Sequence, residues 1–594
     1  MRSKNKTNWN QFRGILYFLK MCWRYDKSYI IYLIIYQSCR VILTLNAIIL
    51  PQYIIDATFY SRELTSVFFS VGVMGGITLI TSLLISFCKK QIMIHKMLIY
   101  KEFQLSISEI MMKADYAKIE SNDFLNTKSQ AERFLYGDGS GFATVLESAF
   151  DLVGYTITII SLCGIIAQLN VLILVLLALV LGINTFINYR TQKRNYLINK
   201  EKSVQERRSL YFSAVTQDFR YGKEIRSAGI HGWIIDKYSL QLSSMQNFYK
   251  KLATNTFSYD VIVSLTAVVQ QVSAYIYVIM CGVKGLISVG QFSMFLSAIS
   301  TFSTTLKSIT QILIGMQQYS QYYSAYEEYI GIGASISREG IPAPTKLETI
   351  EFQNVSFIYP GQSSFALKDI NITLHAGERI LLVGENGAGK STFVNLLLRI
   401  YKPTSGKILV NGIDIQQYGA KEYSQLFSTV FQDFKLFAFP ISENIALASD
   451  IDEEKILKVL KDVGLHSKIN SLPNRYNTNI FREFDSKGFT PSGGEGQRIA
   501  MCRAIYKDSS VVILDEPTAA LDPQAEYELY SMFDSLFSGR TAIYISHRLA
   551  SAKLCSRIIV FEKGRLVEDG SHEELLNANG LYSQLFRMQA DNYK

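Results

Sequence analysis

Long apolar runs separated by charged stretches dominate the first 320 residues of the chain. A helix needs about 20 mostly apolar residues to cross the hydrocarbon core of a bilayer. Six runs before residue 320 have this character. The predicted spans are Tyr29–Gln52, Ser66–Cys88, Gly141–Gln168, Val171–Asn188, Tyr259–Val283 and Phe292–Met316. The pattern therefore predicts an all-α membrane domain with six transmembrane helices.

The connections between these runs alternate in length and charge. Those after the first, third and fifth runs are short and nearly free of lysine and arginine, whereas those after the second and fourth are long and basic. Basic residues collect on the cytoplasmic side of membrane proteins. The long connections and both termini are therefore expected in the cytoplasm, in a multi-pass protein of the cell membrane.

The long connections carry a helical pattern of their own. Apolar residues recur at helical spacing through Ile94–Met112 and Leu210–Ile225, so the spans are expected to continue as helices into the cytoplasm. Turn-like stretches near Tyr116–Asn126 and Val215–Gly222 fall at the tips of these helices. The tips either touch a soluble domain or form solvated helical hairpins only.

The pattern changes after Gln317, where the chain becomes polar and aromatic. Gly340, Pro342 and Pro344 indicate a linker. From Ile350 onward short β-rich runs alternate with helical patterns, as in an α/β domain with a largely parallel sheet. The predicted divisions are a cytoplasmic N-terminal segment at 1–28, a membrane domain at 29–330, a linker at 331–347 and a soluble domain at 348–594.

Composition narrows the class of protein further. The chain is 48% hydrophobic and 19% charged, which fits a protein that is part membrane-embedded and part soluble. Its formal net charge is +9, but the basic residues flank apolar runs instead of forming one stripe, so no nucleic-acid partner is expected. Seven cysteines without CxxC spacing argue against a disulfide framework or a zinc site. The basic, aromatic start lacks the apolar core and cleavage site of a signal peptide, so it is expected to lie on the cytoplasmic membrane surface.

A glycine-rich segment follows the predicted strand Arg379–Val383 and precedes the helical run Phe393–Ile400. This context predicts a P-loop, in which backbone N–H groups surround phosphates at a helix N-terminus. Lys390 is expected to reach the β- and γ-phosphates, and Ser391 to ligate magnesium. A flexible glycine loop without function is the alternative. The predicted nucleotide-binding residues are Gly384, Asn386, Gly387, Ala388, Gly389, Lys390, Ser391 and Thr392.

A second predicted strand, Ser510–Leu514, is entirely apolar or small and leads into Asp515 and Glu516. Parallel strands of α/β sheets present ligand-binding groups at their C-terminal ends. Asp515 is therefore expected to hold the magnesium shell, and Glu516 to polarise the attacking water as a catalytic residue. A structural ion pair is the alternative use of these carboxylates.

With these motifs in this order, the chain resembles an ATP-binding-cassette (ABC) transporter of the exporter type, called type I or type IV. The resemblance covers nearly the whole length, with six spans first and then one cassette, an α/β P-loop NTPase domain. It implies ATP and Mg²⁺ as cofactors. It also implies pairing with a second copy or with a related half-transporter, because one cassette supplies only half of each ATP site.

The resemblance assigns roles to residues outside the P-loop. Tyr359 matches the aromatic residue that stacks on adenine, although a tyrosine packed on its own domain is the alternative. Gln432 matches the glutamine that contacts magnesium and senses the membrane domain. Asp522 matches the loop that spans the interface between cassettes. His547 matches the switch histidine, which would hydrogen-bond the γ-phosphate and orient Glu516 or the water.

The family signature binds, through its backbone amides, the γ-phosphate held by the opposite cassette. It is matched here by Ser492, Gly493, Gly494 and Glu495. The usual leading leucine is Pro491 and the usual glutamine is Glu495. Ser-x-x-Glu is also a capping box, and capping and phosphate binding do not exclude each other, since both use the same end of the helix. Just upstream, Phe481–Gly488 stands where exporters of the family carry a glycine- and glutamate-bearing loop, and only Gly488 matches that pattern.

Few residues specify the cargo. Ionisable groups at membrane depth either serve function or pair and snorkel, and here they are Arg40, Asp260 and Lys307. Aromatic residues that either line a cavity or pack in the core are Tyr275, Tyr277, Phe295 and Phe302. The resemblance implies ATP-driven export of a peptide or other amphipathic substrate. The alternatives are a lipid or drug exporter, an exporter-like importer of a metal chelate, and a non-transporting regulatory membrane ATPase.

Overall fold

The computed structural model describes residues 4–61, 64–136, 141–218, 221–334, 340–515, 539–546, 552 and 555–591. The chain separates into two compact units. The first comprises Met1–Met112 and Asn126–Gly331, and the second comprises Lys113–Leu125 and Ile332–Lys594. A short segment from the first long connection therefore belongs with the C-terminal unit.

Long helices form the N-terminal half. Their bounds are α1 Lys4–Tyr25, α2 Lys27–Asp56 with a π-helical turn at Ala57–Ser61, α3 Leu64–Lys113, α4 Tyr116–Ile119, α5 Asn122–Tyr136, α6 Phe142–Ala167, α7 Val171–Gln217, α8 Gly222–Ser227, α9 His231–Val283 and α10 Val289–Ala334. The boundary between α1 and α2 is set locally by Asp26, whose side chain accepts a hydrogen bond from the Ser28 N–H at 3.0 Å.

Within the described residues, five helical stretches are long and apolar enough to cross a membrane: Lys27–Tyr60, Leu64–Lys113, Phe142–Ala167, Ile173–Asn195 and His231–Val283. They overlap the first five predicted spans. The sixth predicted span, Phe292–Met316, lies inside α10, a helix of 46 residues, and its crossing stays a prediction. As predicted, helices extend beyond the spans, since α3 has 50 residues and thus measures about 75 Å, more than twice the hydrocarbon thickness.

The interior of the first unit is apolar and contributed by several helices. Phe295 and Phe302 of α10 are only 3% and 6% exposed and pack with Val278 of α9 and Leu162 of α6. Both phenylalanines therefore pack in the core of the unit and do not line a cavity. Tyr277 accepts a hydrogen bond from the Asn170 side chain, which holds its hydroxyl inside the same unit.

Arg40 of α2 is paired inside the helical unit. Its guanidinium donates to the Asp151 carboxylate of α6 at 2.6 Å and to the Tyr155 hydroxyl at 3.1 Å. The Gln37 amide donates to the same carboxylate. The sequence had not singled out Asp151, and the partner of Arg40 is this residue instead of Asp260. Asp260 and Lys307 are both exposed.

The start of α10 is anchored to the end of α2. The Asp56 carboxylate accepts hydrogen bonds from the Gly290 N–H and from the Ser288 hydroxyl, both at 2.9 Å. A Cβ at Gly290 would lie 2.4 Å from the Gln52 carbonyl oxygen and 2.6 Å from the Asp56 side chain. Only a residue without a side chain therefore allows this close approach of the two helices.

Replacing Gly290 by alanine should lower the free energy of unfolding by about 1–3 kcal/mol, the usual cost of overpacking. Thermal unfolding of the detergent-solubilised protein would measure the change. Gly72→Ala is the matched control, since no atom lies within 4 Å of a Cβ at that position. Equal melting temperatures for the two variants would contradict the proposed close contact.

The described residues of the second unit form two sheets. The antiparallel sheet has the order β2-β1-β4-β5, formed by β1 Thr349–Phe357, β2 Leu367–His375, β4 Ser405–Val410 and β5 Ile413–Asp414. The other has the order β10-β9-β3-β8-β7-β6, formed by β3 Arg379–Val383, β6 Phe427–Val430, β7 Val511–Asp515, β8 Thr541–Ile545, β9 Arg557–Glu562 and β10 Arg565–Gly570. Its helices are α11 Lys390–Leu397, α12 Ala420–Gln425, α13 Ile441–Ala446, α14 Glu453–Asp462, α15 His466–Asn470, α16 Gly493–Lys507, α17 His572–Asn577 and α18 Leu581–Asp591.

The central strands of the larger sheet are parallel and buried on both faces. Strands β9, β3, β8, β7 and β6 pair in parallel, as the α/β prediction requires. Along β7, Val512 and Leu514 join one apolar core, whereas Val511 and Ile513 join the core on the opposite face. Burial on both sides explains why the strand sequence is continuously apolar instead of alternating.

Candidate functional site

The segments with predicted chemistry meet at one edge of the larger sheet. Leu514 of β7 is in register with Val430 of β6 on one side and with Tyr544 of β8 on the other, and β8 pairs with β3. Because these strands are parallel, their C-terminal ends share an edge. The P-loop after β3, Gln432 after β6, Asp515 at the end of β7 and Ser546 after β8 therefore all lie there.

Two glycines shape the P-loop. Gly389 immediately precedes α11 with φ of 111°, and a Cβ there would lie 2.7 Å from the Leu367 side chain. Gly384, just after β3, has φ of 151°, and a Cβ there would lie 2.3 Å from the Phe561 carbonyl oxygen. Both conformation and space therefore require glycine, and the loop stays narrow enough for its backbone to approach a ligand.

The first residues of α11 form an anion-binding surface. Lys390 is 5% exposed, and its ammonium donates to the Gly384 carbonyl at 2.7 Å and to the Glu385 carbonyl at 3.0 Å. Helix N–H groups in the first turn have no intrahelical acceptor, and the residue before the helix, Gly389, has no side chain to cap them. The ammonium, the N–H groups and the helix dipole together suit the phosphates of a nucleotide.

The hard oxygen donors needed by Mg²⁺ are present at the same edge. The Ser391 side chain is exposed in the first turn of α11, and the Asp515 carboxylate, partly exposed, ends β7. Gln432 is exposed two residues beyond β6. Hydroxyl, carboxylate and amide oxygens with several waters are the donors that magnesium prefers, so these residues fit the ion.

Tyr359 is tied to the phosphate-binding helix. Its hydroxyl lies 3.0 Å from the Thr392 hydroxyl of α11. Its ring meets Phe357 and Tyr401 edge-on, with centroids 4.9 and 5.2 Å apart. The ring is thus packed on its own domain and half-buried, and the same contacts hold it in a fixed position beside the P-loop helix.

Tyr401 links this aromatic group to α4. Its hydroxyl donates to the Glu120 carboxylate at 2.9 Å, and its ring stands edge-on to Tyr116 at 5.6 Å. Burial, with the hydrogen bond to Glu120, raises the pKa of Tyr401, so the hydroxyl remains a donor at physiological pH. Lys402 adds an ion pair with Asp115 at 3.1 Å. Of the two possibilities for the 116–126 tip, contact with soluble-domain residues is therefore the one observed.

The signature segment starts α16 with a capping box. The Ser492 N–H and hydroxyl both donate to the Glu495 carboxylate, at 2.8 and 2.9 Å. The Glu495 N–H in turn donates to the Ser492 hydroxyl at 3.4 Å. These bonds, first the one from the Ser492 backbone, hold the pKa of Glu495 below its usual range. Gly493 and Gly494 form the first turn, and the locally predicted cap is confirmed.

The loop before the signature closes on itself. The Phe481 N–H donates to the Phe489 carbonyl at 2.8 Å, and a Cβ at Gly488 would lie 1.8 Å from the Phe481 carbonyl oxygen. Gly488 is therefore required by the turn. At the tip of the loop the Phe484 side chain is 80% exposed.

Three predicted site residues lie outside the described part of the chain. These are Glu516, Asp522 and His547. Asp515, which precedes Glu516, and Ser546, which precedes His547, are described, and both lie at the shared edge of the sheet. Tyr401, Glu120 and Asp151 are the contacts that sequence reasoning missed, since none of them forms a local motif.

Comparisons with known proteins agree with this geometry. Residues 367–519 match the family model of the ABC transporter. The chain is 29% identical over 591 residues to the subtilin transport ATP-binding protein SpaT of Bacillus subtilis, covering 97% of this chain and 93% of that protein. It is 36% identical to an ATP-dependent lipid A-core flippase of Methylobacillus flagellatus over 308 residues, covering 51% of this chain and 52% of the flippase.

The fold is shared with a solved transporter. A bacterial Atm1-family ABC exporter with ATP bound superposes with a TM-score of 0.81 at 20% identity, covering 96% of this chain and 98% of that one. The P-loop at the shared edge of the larger sheet, the long apolar helices and these similarities lead to one assignment. Residues 367–519 belong to the ABC transporter family, and the chain has the exporter-type arrangement of a multi-pass helical membrane domain fused to one cytoplasmic ATPase domain whose ATP hydrolysis is coupled to transport.

Proposed function

We propose that two copies of this chain export a peptide or other amphipathic substrate across the cytoplasmic membrane by alternating access. One observation carries the proposal. The similarity to SpaT, named for transport of the peptide subtilin, runs through both the membrane domain and the cassette. The similarity to the lipid A-core flippase spans only about half of each protein, so lipid export is the second candidate.

The pairing of identical chains is part of the proposal. This one chain carries both the P-loop with Lys390 and the signature with Ser492, the two halves from which a composite ATP site is assembled. Two equivalent sites would then form in a homodimer, with Mg²⁺ held by Ser391, Gln432 and Asp515 and with Glu516 and His547 at the reaction. A related half-transporter is the alternative partner. In each copy, the proposed domain boundaries follow residues 28, 330 and 347.

ATP would do work by favouring the closed pair. Moving a two-state equilibrium almost completely requires about 5.5 kcal/mol of differential binding. Nucleotide clamped between two cassettes makes contacts that the open pair lacks, which is a source of that difference. Closure would be transmitted to the helices through α4, which is held by Tyr401 and Lys402.

A cavity in the membrane unit offers a place for the cargo. It has a volume of about 680 Å³ and lies among α2, α9 and α10. Five of the lining residues carry a hydroxyl group and four are apolar: Leu43, Thr44, Ala47, Ile48, Tyr275, Leu296, Ser297, Ser300 and Thr301. A mixed surface of this kind suits an amphipathic molecule, and hydroxyl groups at membrane depth are better placed in such a cavity than against lipid.

Transport into inside-out vesicles, with and without ATP, tests the function directly. Labelled subtilin and a labelled phospholipid are the two probes. ATP-dependent uptake of the peptide supports the proposal, whereas movement of the lipid alone would replace it with the second candidate. ATP hydrolysis without movement of either probe would overturn both.

Filling the cavity should weaken the cargo interaction. Ser300→Phe places a large ring among the lining residues, so the peptide concentration for half-maximal stimulation of ATP turnover should rise about tenfold, equivalent to about 1.4 kcal/mol. Ser273→Phe is the matched control, because Ser273 is exposed on α9 and is not a lining residue of this cavity. Equal effects from both substitutions would show that the cavity is not where the peptide binds.

A further inference from the structure

The Glu495 carboxylate occupies the binding groups at the start of α16. One oxygen, Oε2, accepts from both the backbone N–H and the hydroxyl of Ser492, at 2.8 and 2.9 Å. The Glu495 side chain is only 18% exposed. An anion therefore already occupies both donors of Ser492, the residue that caps the signature helix.

This arrangement conflicts with phosphate binding by Ser492 on two counts. A serine hydroxyl has a single proton to donate, and that of Ser492 is committed to Glu495, whereas phosphate oxygens need donors. The carboxylate also offsets the positive potential of the helix N-terminus and repels a second anion. Phosphate binding by Ser492 therefore requires the Glu495 side chain to leave.

The Lys468 ammonium lies close enough to Glu495 to bind its carboxylate once that carboxylate leaves Ser492. The Lys468 ammonium lies 3.9 Å from the other oxygen of Glu495, Oε1, and its side chain is 55% exposed and free to follow. Arg498, one helical turn along α16, is the other cation near Glu495. The two oxygens of one carboxylate thus face two competing partners, Ser492 and Lys468.

We propose that Glu495 is an internal anion that holds the signature end of α16 until the γ-phosphate of the opposite copy displaces it, whereupon the carboxylate turns to Lys468. The inference rests on the paired cassettes of the proposed function. Glu495 is then a positioning residue that sets how much nucleotide is needed to close the pair. Glutamine at this position keeps an oxygen for the cap but carries no charge.

The test measures closure of the full-length dimer in detergent by the distance between spin labels on the two cassettes, titrated with a non-hydrolysable ATP analogue. Glu495→Gln should lower the analogue concentration for half-maximal closure about two- to fivefold, the scale of one charge at a helix end. Lys468→Gln should raise it about twofold. In the double variant the effect of Lys468→Gln should vanish, because the lysine acts through Glu495.

Lys458→Gln removes an exposed positive charge from neighbouring α14 and is the control for Lys468→Gln. Glu495→Ala, which loses the cap as well as the charge, is followed by thermal unfolding to separate closure from folding. An unchanged midpoint in Glu495→Gln, with closure intact, would overturn the internal-anion role alone. Failure of the unsubstituted chain to close would instead overturn the paired cassettes, and this inference with them.

Discussion

Replacing Glu516 by glutamine is expected to leave nucleotide binding intact and to lower ATP turnover about 10²- to 10⁴-fold, the usual contribution of a general base. The residue directly follows Asp515, which ends β7 at the edge where the P-loop, Gln432 and Ser546 converge. A carboxylate at this place can accept a proton from the attacking water, whereas an amide cannot. Phosphate release by the purified protein and binding of a fluorescent ATP analogue measure the two effects separately.

The same variant should accumulate in the ATP-bound, closed state, because the step that releases the pair is removed. Glu573→Gln is the matched control, as this glutamate is exposed on α17. It should turn over ATP like the unsubstituted chain. Near-normal turnover in Glu516→Gln would remove this residue as the group that activates water.

Lys390→Gln should abolish measurable hydrolysis and weaken ATP binding about ten- to hundredfold. Hydrogen bonds to charged groups contribute about 1.5–3 kcal/mol, and the phosphates would lose at least one of them. Lys390 is 5% exposed, and its ammonium donates to the Gly384 and Glu385 carbonyls, so the charge is held inside the P-loop. Equilibrium binding of radiolabelled ATP, with hydrolysis followed in parallel, checks both parts.

Lys407→Gln controls for the loss of one positive charge from the cassette, since Lys407 is exposed on β4. It should bind and hydrolyse ATP normally. If Lys390→Gln bound ATP as tightly as this control, the P-loop lysine would not contact the phosphates in the bound state.

Features fixed by neighbouring residues were predictable from the chain alone. The apolar run of β7 with its terminal carboxylates, the P-loop between β3 and α11, and the cap of α16 by Ser492 and Glu495 all depend on residues within a few positions of each other. Helix and strand periodicity, capping and turn chemistry act over that range. These elements therefore appear in the structure where the sequence indicated them.

Features that depend on distant residues were missed. Asp151 is 111 positions from Arg40, and Tyr401 is 281 positions from Glu120. Neither pair has a spacing that indicates contact, because each is created when segments far apart in the chain pack together. For the same reason the sequence could not tell which aromatic residues of the membrane domain line a cavity and which pack in the core. Tyr275 lines a cavity, whereas Phe295 is buried in the core.

The aromatic ring at position 401 touches both Tyr359 and Tyr116. Helix α4 has only four residues, and a helix of one turn has almost no stability of its own in water. Its conformation is consequently imposed from outside, by the ring, by Glu120 and by the Lys402–Asp115 pair. A segment that depends on its surroundings to such a degree should follow small displacements of the Tyr401 ring and its aromatic neighbours instead of resisting them.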